Sequence, residues 1–163
     1  MPDAAGPPPM GAAFLLAQLG AHAAGRYAEK VAVLDLDPAQ TGVLHLIARS
    51  PGRSQQALAD QLGVAPSRVV ALVDGLEGRG LIERRRSATD RRTYELHLTP
   101  AGQELLGRLR AVAMAHEADV TAALGEDDRR RLVELLSAVA AQQGLTPGVH
   151  PGYRRLGGKP ARD

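Results

Sequence analysis

A short loop in the middle of the 163-residue chain is bordered by closely spaced arginines. These residues are Arg84, Arg85, Arg86, Arg91 and Arg92. Guanidinium groups bind phosphate oxygens through charge-assisted and often bidentate hydrogen bonds, so this cluster indicates contact with a nucleic-acid backbone. The alternative is a solvated hairpin, which is what most charged runs form. Asp90 also lies in the loop, and because a carboxylate repels phosphate we expect it to orient a neighbouring arginine.

Candidate contacts with DNA bases lie upstream of this loop, on two short predicted helices. Residues 54–62 form the first helix, since Leu58 and Leu62 share one face and Gly63 suits its end. The second helix begins at Pro66 and runs to about residue 79. Such a pair is a helix-turn-helix, whose second helix presents its early residues to base edges in the major groove. The residues that we expect to contact DNA from this pair are Ser54, Ser67, Arg68, Val70 and Ala71.

The side chains of the second helix offer different kinds of contact. Arg68 can bond a guanine edge in bidentate fashion or hold a phosphate, and Ser67 can bond either kind of group. Val70 and Ala71 can make only apolar contacts, for example with a thymine methyl group. A solvated surface arginine is the alternative interpretation of Arg68. The position of the helix just ahead of a basic loop favours contact with DNA.

The segments on either side of the basic loop 87–92 are predicted to be strands, at 81–86 and 93–98. In the second segment Tyr94, Leu96 and Leu98 alternate with polar residues, which is typical of a half-buried strand. A basic hairpin that follows a helix-turn-helix is suited to insert an arginine into the adjacent minor groove, where the negative potential favours it. The sequence therefore predicts a mainly α fold with a small β-hairpin wing.

Residues 36–106 resemble the MarR-type winged helix-turn-helix transcriptional regulators. The most specific pieces are LVDGLEGRGLIERR, the DRR of the wing and LTPAGQEL. The resemblance implies that Arg92 enters the minor groove with Asp90 as its acidic companion, and that Ser67 and Arg68 occupy recognition-helix positions. The chain differs from the usual pattern at Pro66 and Ala71, where family members often carry polar or basic residues. The resemblance therefore implies a DNA-binding regulator but leaves its operator sequence open.

Apolar helices are predicted on both sides of this winged region. Four such helices are predicted: one at about 11–30, one from Pro38 onward, one from Pro100 onward and one from Glu126 onward. Asp37 is expected to cap the second of them. The terminal helices carry more apolar surface than a small winged core needs, and a two-fold dimer would bury it. Such a homodimer would set two recognition helices about 34–36 Å apart to read a pseudo-palindrome in double-stranded DNA. The resemblance implies the same dimer; a monomer with its terminal helices folded back is the alternative.

The chain is expected to form one winged-helix domain over residues 11–143. Its DNA-binding lobe covers about 36–99, and its dimerisation helices cover about 11–30 and 100–143. Residues 1–10 contain three consecutive prolines and are expected to form a disordered arm. Residues 144–163 are rich in glycine, proline and arginine and are expected to form a disordered tail.

The resemblance also implies control by a small effector, often aromatic and anionic, bound between the dimer region and the winged lobe. A ligand that binds better to a dimer with the wrong spacing for DNA lowers DNA affinity. Apolar residues at helical spacing are more often plain core, which is the alternative interpretation of this set. The candidate pocket residues are Phe14, Tyr27, Leu44, His45 and Met114.

Other kinds of chemistry find little support in the sequence. The chain has no cysteine, and the nearest approach to a metal cluster, His116 with Glu117 and Asp119, has poor spacing for zinc. Glycine-rich phosphate loops and nucleophile elbows are absent, so we expect no cofactor, no metal, no catalytic residue and no enzymatic activity.

The overall charge and hydropathy set further expectations. The formal net charge is only +2, so any basic surface must be local. No segment is apolar enough to span a membrane and the first residues do not resemble a secretory signal, so a cytoplasmic protein without membrane contact is expected. The alternative function is a winged-helix protein-interaction module that does not bind DNA.

Overall fold

The computed structural model describes residues 11–150, which form six helices and one two-stranded antiparallel sheet. The mainly α class with a β-hairpin wing is confirmed. The predicted arm 1–10 and residues 151–163 of the predicted tail lie outside the described residues. In chain order the elements are α1 (Ala12–Ala32), α2 (Pro38–Arg49), α3 (Gln55–Leu62), α4 (Pro66–Gly78), β1 (Ile82–Arg86), β2 (Tyr94–Leu98), α5 (Pro100–Val120) and α6 (Glu126–Gln142).

Local signals in the sequence set most helix boundaries. Asp37 and Gln40 form a reciprocal capping box at the start of α2, with hydrogen bonds of 2.8 and 3.0 Å. The Ser54 hydroxyl accepts the N–H of Ala57 at 3.1 Å and caps α3. Gly63 ends α3 with a φ of 63°, a left-handed conformation that glycine adopts without strain. The cap predicted at Asp37 and the helix end predicted at Gly63 are therefore confirmed.

One hydrophobic core joins α2, α3, α4, the base of the hairpin and α5. The helix-turn-helix packs its apolar stripes inward, as the spacing predicted. Leu96 is the fully buried residue through which β2 enters this core. The fully buried side chains of the core include Leu44, Ile47, Leu58, Leu62, Val69, Val73, Leu76 and Leu109. Burial of this kind, at about 25 cal/mol per Å² of apolar surface, fixes α4 relative to the hairpin.

The hairpin of β1 and β2, here called the wing, is paired from Ile82 with Leu98 to Arg86 with Tyr94. The segment before α3 pairs with β2 at one position, where the N–H of Leu96 donates to the carbonyl of Arg53 at 2.9 Å. Tyr94 departs from the predicted half-buried face, since 43% of it is exposed at the far end of the wing. The wing is thus held at its base by the core, while its outer end lies in solvent.

The start of α5 touches the base of the wing through its backbone. Thr99 caps α5 by accepting the N–H of Gly102 at 3.1 Å, and its hydroxyl donates to the carbonyl of Gly80 at 2.6 Å. The N–H of Thr99 donates to the carbonyl of Leu81 at 3.1 Å. A Cβ atom at Gly102 would lie 2.0 Å from that same carbonyl oxygen. Only glycine permits this approach.

The terminal helices leave much of their apolar surface uncovered. On α1, Phe14 and Leu19 are 53% and 55% exposed. On α6, none of the residues is buried, and Val133 and Leu135 are 53% and 50% exposed. Within residues 11–150 these faces have no covering element.

The segment after α6 differs from the prediction of a disordered tail that begins at residue 144. Gly144 ends α6 with a φ of 67°, and the N–H of Leu145 donates to the carbonyl of Ala140 at 3.0 Å. Val149 is partly buried and packs against the core. Residues 144–150 therefore lie against the protein, because an apolar side chain beyond α6 reaches the core.

Candidate nucleic-acid interface

The recognition helix α4 presents one face to the core and the opposite face to solvent. Val70 is 40% exposed, and Ser67 and Ala71 are also exposed, whereas Arg68 is half-buried. Ser54 is half-buried and its hydroxyl is engaged in the cap of α3. The predicted base-reading positions are thus on the accessible face of α4, and their contacts with DNA remain predictions.

Arg84 lies where the wing meets α4. Its guanidinium pairs with Glu77 through Nη1 and with Asp74 through Nη2, and its main-chain N–H donates to Glu77 at 3.2 Å. Burial opposes the charge of Arg84, but the hydrogen bonds and attraction from Asp74 and Glu77 outweigh it and raise the arginine pKa. The positive charge predicted to meet DNA is therefore offset by two carboxylates, and the geometry makes Arg84 a link between β1 and α4.

The wing-tip loop, residues 87–93, is ordered by two short side chains. Ser87 is buried, its N–H donates to the carbonyl of Thr93 at 3.0 Å, and its hydroxyl contacts the Thr89 hydroxyl at 3.1 Å. The Asp90 carboxylate accepts the main-chain N–H of Arg92 at 3.0 Å and the hydroxyl of Thr93 at 3.0 Å. Asp90 was expected to orient an arginine side chain; its observed hydrogen bonds hold the backbone that carries Arg92.

The remaining wing arginines are exposed but differ in their contacts. Arg85 bonds Glu83 through Nε at 3.0 Å. Arg86 donates to the carbonyl of Arg91 at 3.2 Å, and its guanidinium lies 5.4 Å from the centre of the Tyr94 ring. Among residues 11–150 no acidic side chain lies within ion-pair distance of Arg91 or Arg92. These two side chains are the wing charges most available to phosphate.

A cavity of about 680 Å³ lies between α1, α2, α5 and the segment after α6. Of the predicted pocket residues, Tyr27 and His45 line it. Leu44 does not, because it is fully buried in the core. Phe14 and Met114 do not line it either; they are 53% and 67% exposed on α1 and α5. Their predicted contact with an effector stays a prediction.

The sequence interpretation missed several polar or conformationally special residues at this cavity, and the buried Thr41 is one of them. Arg49 lies four residues after His45 on α2, and that spacing on one helix face was an available signal. His116 also lines the cavity, whereas the sequence had drawn attention to it only as a poorly spaced metal ligand. Gly148 and His150 also line the cavity, and they carried no signal because the composition of their segment indicated disorder.

The environment of the cavity disfavours charged imidazoles. Burial, followed by repulsion from Arg110, lowers the pKa of His45. Burial, followed by repulsion from Lys30 and Arg26, lowers the pKa of His116. Both imidazole rings therefore favour the neutral form near neutral pH.

The described part of the chain offers neither a metal site nor a membrane span. Within residues 11–150 no three side chains of His, Cys, Asp or Glu are grouped so as to hold a metal ion. In the same range none of the helices has the length and apolar character needed to cross a bilayer.

The chain is similar in sequence to known transcriptional regulators. A model of the MarR family matches residues 34–93. A curated protein of Thauera aromatica, described as a putative transcriptional regulatory protein for the hcr operon, is 42% identical over 110 residues. That match covers 68% of this chain and 66% of the relative, so the chain spans about two thirds of that protein.

Two solved structures share the fold over about four fifths of this chain. The transcriptional repressor CouR, bound to a 23-mer DNA duplex, is 38% identical with a TM-score of 0.70, over 79% of this chain and 92% of that one. A MarR family protein of Mycobacterium tuberculosis, Rv2887, in complex with salicylic acid, is 26% identical with a TM-score of 0.66. That second match covers 81% of this chain and 98% of the other.

Proposed function

Because the chain belongs to the MarR family, we propose that it is a homodimeric transcriptional repressor that occupies a pseudo-palindromic operator and leaves it when a small ligand binds. In this proposal residues of about 36–99 hold the DNA, and helices of about 11–30 and 100–143 form the dimer. The protein acts in the cytoplasm, where operator DNA lies, and has no catalytic activity.

The observation that carries the DNA-binding role is the pairing of an accessible recognition helix with a braced, basic wing. Arg91 and Arg92 extend from a loop whose backbone is fixed by Ser87 and Asp90. Fixing the loop before binding reduces the entropy lost when an arginine enters a groove. The DNA-bound relative has the same fold and 38% identity over most of both chains, which supports the same use of these elements here.

The uncovered faces of α1 and α6 support a homodimer. An isolated amphipathic helix of 17 residues such as α6 gains little stability without tertiary packing. A second copy of the chain would cover the apolar residues of both helices and remove them from water. Phe14 and Met114 are then expected at or near the subunit interface rather than in the cavity.

The cavity supports control by a ligand. Its volume of about 680 Å³ falls within the usual range for small-molecule sites, about 300–1,000 Å³. It lies where α1 and α5 meet α2, between the helices proposed to dimerise and the lobe proposed to hold DNA. A ligand there can favour one relative position of the two parts over another.

The test is a DNA-shift titration of the full chain against the promoter region next to its own gene, at two salt concentrations. We expect tight binding to a short inverted repeat, with affinity that falls steeply as salt rises because phosphate contacts release counterions. An unrelated duplex of equal length is the control. Equal and weak binding to both duplexes, with little salt dependence, would instead favour a winged-helix module that binds a protein partner.

A further inference from the structure

A pair of hydrogen bonds, here called the Arg79 link, joins the end of the recognition helix α4 to the end of α1. Arg79 directly follows the last residue of α4. It donates through Nη1 to the carbonyl of Asp35 at 2.5 Å and through Nη2 to the carbonyl of Leu34 at 3.2 Å. Among residues 11–150 no acidic side chain lies within ion-pair distance of Arg79. Its guanidinium therefore serves the backbone of α1 rather than a carboxylate.

The two carbonyls belong to the turn that ends α1. The N–H of Leu34 donates to the carbonyl of Val31 at 2.9 Å, and the next N–H donates to the carbonyl of Ala32 at the same distance. Carbonyl groups at the C-terminal end of a helix lack partners within the helix, and that end carries partial negative charge. A guanidinium suits this place because it brings a positive charge and several donors. The Arg79 link thus caps α1 from the end of another helix.

Asp35 takes a left-handed conformation in this turn. Its φ of 54° is the one positive value for a non-glycine residue among residues 11–150. A residue with a side chain adopts this conformation at an energetic cost, which other contacts must offset. The hydrogen bond from Arg79 to the Asp35 carbonyl is one such contact. The link therefore helps to fix the path of the chain between α1 and α2.

Packed side chains do not fill the space where the two helix ends meet. A cavity of about 280 Å³ lies there, lined by residues of the turn, of α5 and of the segment after α4, among them Arg79 and Arg108. The core holds the chain on either side of the turn, because Val31 and Leu36 are buried. The fold therefore does not depend on the Arg79 link, which instead sets the fine orientation of α1 relative to α4.

We propose that Arg79 is a positioning residue that sets the spacing of the two recognition helices in the dimer. The inference rests on the proposed function, in which α1 belongs to the dimer region and α4 reads the operator. In each subunit the link fixes how far α4 lies from the two-fold axis. The early residues of α4 face the bases, whereas Arg79 lies at its other end. Loss of the link should therefore change which half-site spacings are accepted and leave the base preference within a half-site unchanged.

The experiment measures the affinity of the full-length protein for operators with altered half-site spacing. One or two base pairs are inserted or removed between the half-sites of the operator found by DNA-shift titration. Each base pair moves a half-site by about 3.4 Å along the DNA axis, so wild type should lose affinity steeply at every altered spacing. Arg79→Met keeps the apolar stem and removes every donor. Its ratio of cognate to altered-spacing affinity should be lower than that of wild type by about threefold or more.

Further variants separate positioning from charge and from stability. Arg79→Lys keeps a charged donor and should retain most of the spacing preference. Arg108→Gln is the matched control and should behave as wild type, because Arg108 lines the same cavity but forms no ion pair among residues 11–150. The slope of log affinity against log salt should keep its wild-type value in Arg79→Met, because the link neutralises no phosphate. Thermal unfolding verifies that each variant is folded.

Two results would overturn the inference and leave the proposed function intact. An unchanged spacing preference in Arg79→Met, with or without a uniform loss of affinity, would show that Arg79 does not position the recognition helices. A smaller salt slope in that variant would show that Arg79 binds phosphate. If wild type binds no duplex selectively, the proposed function fails and this inference fails with it.

Discussion

Arg84 of β1 and Asp74 of α4 form an ion pair that joins the wing to the recognition helix. Glu77, one turn along the same helix, pairs with the other side of the guanidinium. The two carboxylates are three residues apart and so share one face of α4. The direction of the wing is therefore set by the same helix that presents Ser67 and Arg68.

Replacing Arg84 by alanine should weaken operator binding without changing which bases are preferred, because the wing loses its anchor. Partly exposed ion pairs contribute about 1 kcal/mol or less, so we expect a loss of about two- to fivefold. Operator affinity is compared for Arg84→Ala, Asp74→Ala and the double variant. If Arg84 acts through Asp74, the double variant should lose little more than Arg84→Ala; fully additive losses would contradict the anchor.

Arg91 and Arg92 are expected to hold the DNA backbone or the minor groove. Each change to alanine should weaken binding to all duplexes and reduce the slope of log affinity against log salt by about 0.9 for each phosphate that is no longer neutralised. Salt titrations of specific and unrelated DNA measure both effects. Arg131→Ala, which removes an exposed arginine of α6, is the matched control and should leave the slope unchanged. A wild-type slope in both wing variants would show that these residues do not bind phosphate.

Arg68 is expected to read a base. Arg68→Ala should reduce discrimination at one base pair in each half-site, by about 1–3 kcal/mol, while other positions keep their preference. Binding to a set of operators with single substitutions measures this. A uniform loss over the whole set would instead assign Arg68 to a phosphate.

Two glycines of α5 should respond in opposite ways to alanine. At Gly102 the new Cβ would meet the carbonyl of Leu81 at 2.0 Å, so the backbone must shift, and overpacking of this kind costs about 1–3 kcal/mol. Gly107 has nothing within 4 Å of a Cβ position, and alanine there should stabilise the helix by about 0.5–1 kcal/mol. Urea unfolding of both variants measures the difference, and equal stability would refute the close approach at Gly102.

Stability should fall when the pH drops below about 6.5, the ordinary pKa of histidine. His45 and His116 have lowered pKa values in the folded chain, so the unfolded chain binds more protons in this range. Their contribution is complete above the unfolded pKa and is lost as pH falls toward the folded pKa. Carboxylates with lowered pKa values, Asp119 and Glu95, lose their contribution only at more acidic pH. Melting temperatures at about pH 7.5 and about pH 5.5 should differ less for His45→Gln than for wild type; an equal difference would exclude His45.

Features that depend on neighbours in the sequence could be predicted, because their physics is local. The capping box of Asp37 and Gln40, the cap at Ser54 and the left-handed Gly63 all follow from residue type and spacing. The recognition helix and the wing followed from periodicity and alternation. These elements were enough to indicate a DNA-binding fold.

Features that depend on distant residues could not be predicted in the same way. The pairing of Arg84 with α4 and the bridge from Arg53 to Leu96 need the folded arrangement. Arg79 is a further example, since it donates to the carbonyls of Asp35 and Leu34, which are 44 and 45 residues away in the sequence. Apolar spacing also does not reveal what covers an exposed apolar face, such as the one that carries Phe14 on α1.

The junction of Thr99, Gly102 and Leu81 has a mechanical consequence. Helix α5 has 21 residues and is therefore about 30 Å long, and its first turn is in backbone contact with the wing. A rigid rod of that length, tilted by about 5° at one end, displaces the other end by about 2–3 Å. The two recognition helices of a dimer must be spaced to match two DNA grooves, so a displacement of this size weakens binding. A small tilt of α5 can therefore release the operator while the residues proposed to contact DNA keep their local structure.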